Sequence, residues 1–150
     1  ILASSKDTLA LFVNHWPSRF GGKVKSAPKR LIAAQTLIKH MDSIRNKFPS
    51  IKIIAMGDFN DEKKDVSLNI FKDYSFAPFK FKGTIKYKGI WQTFDQFILS
   101  NNFIFTSKIL NLNFLLEPDL RYKGIKPYRT FIGPRYKNGF SDHLPVILKL

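Results

Sequence analysis

Four polar clusters carry side chains able to do chemistry: Asn14-His15, Asp58-Phe59-Asn60, Asp95 and Asp142-His143. Singly, each has an ordinary reading. A His beside a strand is commonly a satisfied structural residue, and Gly-Asp-Phe-Asn can be a turn in which Asp and Asn bond their own backbone. Together they offer two imidazoles, three carboxylates and two carboxamides, a set suited to hydrolysing a phosphate ester. Carboxylates are what a hard divalent cation prefers, and amide or imidazolium donors suit a phosphoryl oxygen that gains charge. Asp58 and Asn60 stand two apart, so an extended segment points both to one side.

Strands must deliver these groups. Thr8 to Asn14 is a short apolar run with His15 at its mouth, and Ile51 to Met56 is a second, broken by Gly57 just before Asp58. Thr93 to Leu99 and Leu144 to Leu148 read as two more, and Thr106 to Phe114 as another strand or a helix. Between the first two, after a Gly-containing basic loop over Ser18 to Lys25, the spacing of Leu31, Ala34, Leu37, Ile38, Met41, Ile44 and Phe48 predicts an amphipathic helix that starts at Pro28 and ends before Pro49. His40 falls at the edge of that stripe and reads as boundary or exposed, while Trp16 and Trp91 read as packing residues. Asp65 to Lys72 suits one or two helical turns. The alternation in Phe79 to Lys82 and Ile85 to Lys88 predicts a half-exposed edge strand protected by Lys. Glu117 to Gly139 reads as a long loop, whose Arg121, Lys123, Lys126, Arg129, Arg135 and Lys137 suit contact with an anion. Among them Arg129 reads as a substrate-binding candidate. Asp61, Glu62 and Asp65 read as a solvated acidic turn. Few helices and many strands predict an α/β sandwich layer.

The 25 Lys and Arg against 11 Asp and Glu give +14, a field that would draw polyanions to the surface. Charge alone does not establish a nucleic-acid partner, because Lys, Ile, Asn and Phe are abundant together, as an AT-rich genome would make them. The absence of Cys excludes disulfides, thiolate metal sites and a cysteine nucleophile, and leaves the compartment open. No apolar run approaches the roughly 20 residues of a membrane helix. Ile1 to Ser5 lack an initiator Met and a basic stretch before an apolar run, so they do not read as a signal peptide, and so abrupt a start predicts upstream sequence.

Taken in chain order, Val13-Asn14-His15-Trp16-Pro17-Ser18-Arg19, Gly57-Asp58-Phe59-Asn60-Asp61, Phe94-Asp95-Gln96-Phe97-Ile98 and Ser141-Asp142-His143-Leu144-Pro145-Val146 resemble the motifs of the endonuclease/exonuclease/phosphatase superfamily, the deoxyribonuclease I-like enzymes. The resemblance implies an α/β fold, a four-layer β-sandwich flanked by helices, of which residues 1–150 supply the C-terminal half to two-thirds of one domain. It implies hydrolysis of phosphate esters with Mg²⁺ or Mn²⁺. The expected substrate is a nucleic acid, the alternatives being a small or lipid-linked phosphate or a non-catalytic basic binding fragment. By the same resemblance Asp58 orients or deprotonates the attacking water, Asn60 donates to the scissile phosphate, His15 and His143 contact it, and Asp95 holds His143. Asp142 becomes a metal ligand, with Asn14 and Arg19 as substrate-side neighbours. The family's first-strand Asn and metal-binding Glu have no match in this chain, so both are expected upstream. No protein partner is implied beyond the rest of the same domain.

Overall fold

In the computed structural model, which describes residues 8–101 and 103–150, alternation of apolar side chains builds a central sheet from β1 (Leu9–His15), β2 (Lys52–Asp58), β6 (Asp95–Leu99) and β3 (Ser75–Phe76), in the order β1-β2-β6-β3. The expectation for Ile1 to Ser5 lies outside the described residues. β1 and β2 are parallel, as their connection through α1 (Lys23–Lys47) requires, whereas β6 is antiparallel to both β2 and β3.

Successive residues of β2 face opposite layers. Ile53 and Ala55 pack with Ala34, Leu37 and Met41 of α1 and with Trp16, Phe59 and Phe71, whereas Ile54 joins Ala77, Phe97 and Leu99. Val146 and Leu148 of β12 (Val146–Lys149) cover this second face; β12 pairs with β7 (Thr106–Ile109) in a second sheet. Helix, sheet and sheet are thus stacked in the α/β sandwich expected of the fold. Each fully buried Leu or Met of α1 stabilises the stack by about 1.5–3 kcal/mol.

Several sequence expectations are corrected. α1 begins at Lys23, and Pro28 lies inside it. The buried Arg30 guanidinium ties the early turns together by donating to Ser26 Oγ and the Lys23 carbonyl, offsetting the bond that Pro28 cannot make. Gly57 does not break β2 but stays within it at φ 129°, where an added Cβ would lie 1.9 Å from the Asn14 carbonyl oxygen. Residues 79–82 form no strand, whereas β4 (Ile85–Tyr87) does, as a hairpin with β5 (Ile90–Gln92) through Lys88 and Gly89, both at positive φ. The region read as a long loop holds two ribbons, β8 (Leu116–Pro118) with β9 (Ile125–Pro127), and β10 (Phe131–Ile132) with β11 (Arg135–Tyr136). Their two- and three-residue strands are too short for apolar alternation to show. α2 (Val66–Asn69) lies within the stretch expected to be helical, and His40 is exposed.

Candidate active site

Strand register assembles the site. His15 is opposite Asp58 across β1 and β2, and Asp58 is opposite Asp95 across β2 and β6. His15 and Asp58 end their strands and Asp95 begins its own, so the three form a rank along one edge of the sheet.

His143 reaches this rank from the second layer. Its segment is bridged to Ile85, and Leu144 N–H donates to the Thr84 carbonyl at 2.7 Å. The buried Thr84 hydroxyl oxygen accepts from the backbone N–H groups of Phe94 at 3.1 Å and Asp95 at 3.3 Å. One residue therefore fixes both partners of the pair that results, His143 Nδ1 and Asp95 Oδ2 at 2.6 Å. Burial alone would lower the imidazole pKa, but the hydrogen bond and charge of Asp95, with smaller help from Asp58 and Asp142, outweigh it and hold His143 above the ordinary histidine value. The Asp58 carboxyl is displaced upward too, chiefly by burial and further by the Asp95 charge, against the opposing effects of the Asn60 N–H and both histidines.

Asp58 is held by its neighbour two residues on. Asn60 N–H donates to Oδ1 at 2.8 Å and Asn60 Nδ2 to Oδ2 at 3.1 Å; Nδ2 also donates to the Trp16 carbonyl at 3.0 Å. This requires Asn60 to turn back at φ 52°, a left-handed conformation that Asn tolerates better than most residues. His15 Nε2 lies 3.7 Å from Asp58 Oδ2, with its side chain 79% exposed.

Beneath the rank lies a brace. Arg19 Nε donates to the Asn60 carbonyl at 2.8 Å, its Nη2 pairs with Asp61 at 3.0 Å and Asp65 at 2.8 Å, and its guanidinium sits over the Phe94 ring. Arg30, wholly buried, lies 2.7 Å from Asp61, which also accepts from Ser67 Oγ. The turn expected to be solvated is therefore buried at Asp61, because Arg19 and Arg30, remote in sequence, bring counter-charges to it. Burial by itself would raise the Asp65 carboxyl, but hydrogen bonds from Lys23 and the Glu62 N–H pull it below its usual range. Asn14 braces as well, donating to the Phe12 carbonyl and accepting from Trp16 Nε1.

His15, Asp58, Asn60, Asp95 and His143 are thus brought together, with Asn14 and Arg19 directly behind them. Asp142 is exposed beside His143, and Arg129 lies in a neighbouring cleft, its Nη2 donating to the Lys86 carbonyl. Thr84 and Arg30 position the site but bear no sequence signal, one being an ordinary hydroxyl and the other an ordinary helix cation.

Ligand atoms of Asp58, Asp95 and His143 lie within 4.8 Å of one another. His143 Nδ1 is already bonded to Asp95 and both Asp58 oxygens accept from Asn60, so the chain offers carboxylate oxygens but no closed shell. The Asp142 carboxylate, exposed beside His143, is not part of that group. An open, oxygen-rich set fits Mg²⁺ or Mn²⁺, which retain water and substrate oxygens as ligands.

The layers and this strand-end rank make up an α/β sandwich. The Endonuclease/Exonuclease/phosphatase family model matches residues 3–150, and the chain belongs to that family. Three solved structures, each 18% identical, share the fold. A functionally unknown conserved protein from Enterococcus faecalis aligns with a TM-score of 0.57 over 96% of this chain and 50% of that one. From Bacteroides thetaiotaomicron, an endonuclease/exonuclease/phosphatase family protein aligns at 0.52 over 79% and 44%, and a mannosyl-6-phosphatase at 0.60 over 93% and 49%. The chain spans about half the length of these structures. No match was found among curated proteins.

Proposed function

We propose that the chain carries the phosphate-facing part of a divalent-metal-dependent phosphoesterase and serves hydrolysis by in-line attack of water, a nucleic-acid phosphodiester being the favoured substrate. The observation that carries the reading is the 2.6 Å His143–Asp95 pair beside the rank of Asp58 and His15. Asp95 favours the imidazolium form of His143, which donates more strongly to an anionic phosphoryl oxygen than a neutral ring does. The exposed His15 supplies a second donor. Asp58, oriented by Asn60 and held by burial above its ordinary carboxylate value, accepts the proton of the attacking water. Asn60, whose amide is bonded to Asp58 and the Trp16 carbonyl, is the candidate for a further donor to the scissile phosphate by the family resemblance. Asp142, with a Glu from upstream, would hold the metal, which when bound polarises the phosphoryl oxygen and stabilises the leaving oxyanion. Arg19 and Asn14 support the phosphate side through the loops they brace.

In this reading residues 1–150 are the C-terminal portion of one domain. Leu11 and Val13, 55% and 80% exposed on β1, then form part of a face that the remainder covers. Two features favour a nucleic acid: the +14 charge and the basic ribbons beside the site. A small phosphate monoester is the second reading, supported by the likeness to the mannosyl-6-phosphatase.

The test is hydrolysis of plasmid DNA, bis-p-nitrophenyl phosphate and mannose 6-phosphate by the full-length protein, with Mg²⁺ or EDTA, beside His143→Ala. Metal-dependent DNA cleavage that disappears in the variant is expected. Cleavage of the monoester alone moves the assignment to a phosphatase, and no turnover of any substrate refutes the enzymatic reading.

A further inference from the structure

The hairpin β4–β5 and the ribbon β8–β9 enclose a cleft of about 320 Å³ that the reaction itself does not use. Its charge is one-sided. Lys86, Lys88, Arg121, Lys126 and Arg129 line it, against Asp119 and the nearby Glu117. Asp119 is committed to Lys86 at 2.9 Å, both side chains being 5% exposed or less, and Lys86 also donates to the Lys123 carbonyl at 2.7 Å. That buried pair forms a rigid floor. Lys126 reaches Glu117 at 3.5 Å, which leaves Lys88, Arg121 and Arg129 with donors for a ligand. Arg129 Nε is buried without a hydrogen-bond partner, although Nη2 of the same guanidinium is anchored on the Lys86 carbonyl.

The cleft is also built rather than incidental. A Cβ on Gly89 would meet Tyr122 Cβ at 3.0 Å, so the hairpin turn and the ribbon pack directly together. Tyr87 and Tyr122 flank the opening, each with a cation over its ring, Lys88 at 5.5 Å and Arg121 at 5.3 Å. Its position relates it to the rank, because Ile85 is bridged to the His143 segment and the lining begins with the next residue of the same strand, Lys86.

We propose that this cleft is a second anion subsite, which takes a phosphate of the substrate other than the one being cleaved. The inference rests on the phosphoesterase reading for the word substrate, but not for the binding. A second phosphate has two possible sources, the next nucleotide of a polynucleotide strand or a second phosphoryl group on a small molecule, and Lys and Arg donors recognise either.

The experiment uses the full-length protein and the double variant Lys88→Glu/Arg121→Glu, both exposed positions whose change should leave the fold intact, as circular dichroism would verify. Affinity for a fluorescent single-stranded deoxyoligonucleotide, and separately for glucose 1,6-bisphosphate, is measured in EDTA so that turnover plays no part. Binding of at least one probe should weaken by about tenfold. If the strand is the source, the slope of its salt dependence should flatten by about 0.7 for each phosphate no longer neutralised. With the metal restored, KM for the same probe should rise with little change in kcat, while turnover of bis-p-nitrophenyl phosphate, which has no second phosphate, is unchanged. Weakening confined to the oligonucleotide identifies a strand phosphate, and weakening confined to the bisphosphate a small ligand. Unchanged affinity for both, or no binding of either by the parent, overturns the subsite. A catalytically silent protein whose binding still weakens in the variant would instead overturn the phosphoesterase reading and leave the anion site standing.

Discussion

The strand-end rank and the basic cleft are neighbours built by different means. His15, Asp58 and Asp95 stand on strands of five to seven residues, with β2 and β6 packed between two apolar clusters and β1 against one, so register sets their spacing. The cleft stands on strands of three residues, fixed by positive-φ turns at Lys88-Gly89 and Lys123-Gly124 and by the Lys86–Asp119 pair. The contrast separates a geometry that tolerates little from one that turns and charges can reshape.

The largest effect should come from Gly57→Ala. The new Cβ would collide with the Asn14 carbonyl and the backbone is strained for any L side chain, so β1 must part from β2 beside the rank. A destabilisation of about 4 kcal/mol or more is expected in urea unfolding, together with loss of activity. A change below about 1 kcal/mol would show that register is not what holds the rank.

Asp95→Asn should lower kcat by roughly a hundredfold or more. It also tests the titration. His143 is raised in the folded protein, so the stabilisation it provides is present below the ordinary histidine pKa and fades as pH rises through the folded one. The variant should therefore move the ring's titration, followed by NMR in metal-free protein, to lower pH. An unmoved titration would remove Asp95 from the role given to it.

Arg19→Ala should cost about 2–3 kcal/mol of stability, as charge-assisted bonds to Asn60, Asp61 and Asp65 disappear. If Arg19 touched the phosphate instead of bracing its loop, KM would rise with stability unchanged. Asp119→Asn addresses the cleft. Its carboxyl is held below the usual range, first by the Lys86 hydrogen bond, so its contribution exists above the unfolded carboxylate pKa and is lost as pH falls through the folded value. The variant should melt several degrees lower at neutral pH, and the gap should close in acid. The smallest effect should be Lys123→Asn, which suits φ 61° better and should stabilise the ribbon by roughly half a kcal/mol or less, read as a small rise in melting temperature.

The same contrast governs what the sequence made legible. β1, β2 and β6 were readable because apolar runs end abruptly in polar clusters, and the site residues stand at those ends. The ribbons were hidden because Leu116–Pro118 and Ile125–Pro127 each contain a Pro and too few residues for a period to emerge. Lys86 misled for another reason. Alternation suggested a solvent-facing Lys, but its partner Asp119 lies far along the chain and draws it inside. Pro28 within α1 was equally invisible, since the Arg30 hydrogen bonds that hold the first turns form only after folding.

One row of three opposed residues also constrains descent. A single residue inserted inside β2 or β6 would shift Asp58 or Asp95 to the opposite face and dismantle the row. Between those strands the chain runs from Phe59 to Phe94 through a short helix, β3, a hairpin and turns, and residues added at the Lys88-Gly89 turn leave the register of β2 and β6 intact. Lineages can therefore lengthen or recharge that turn, and with it the cleft wall, while the three opposed positions remain fixed in place.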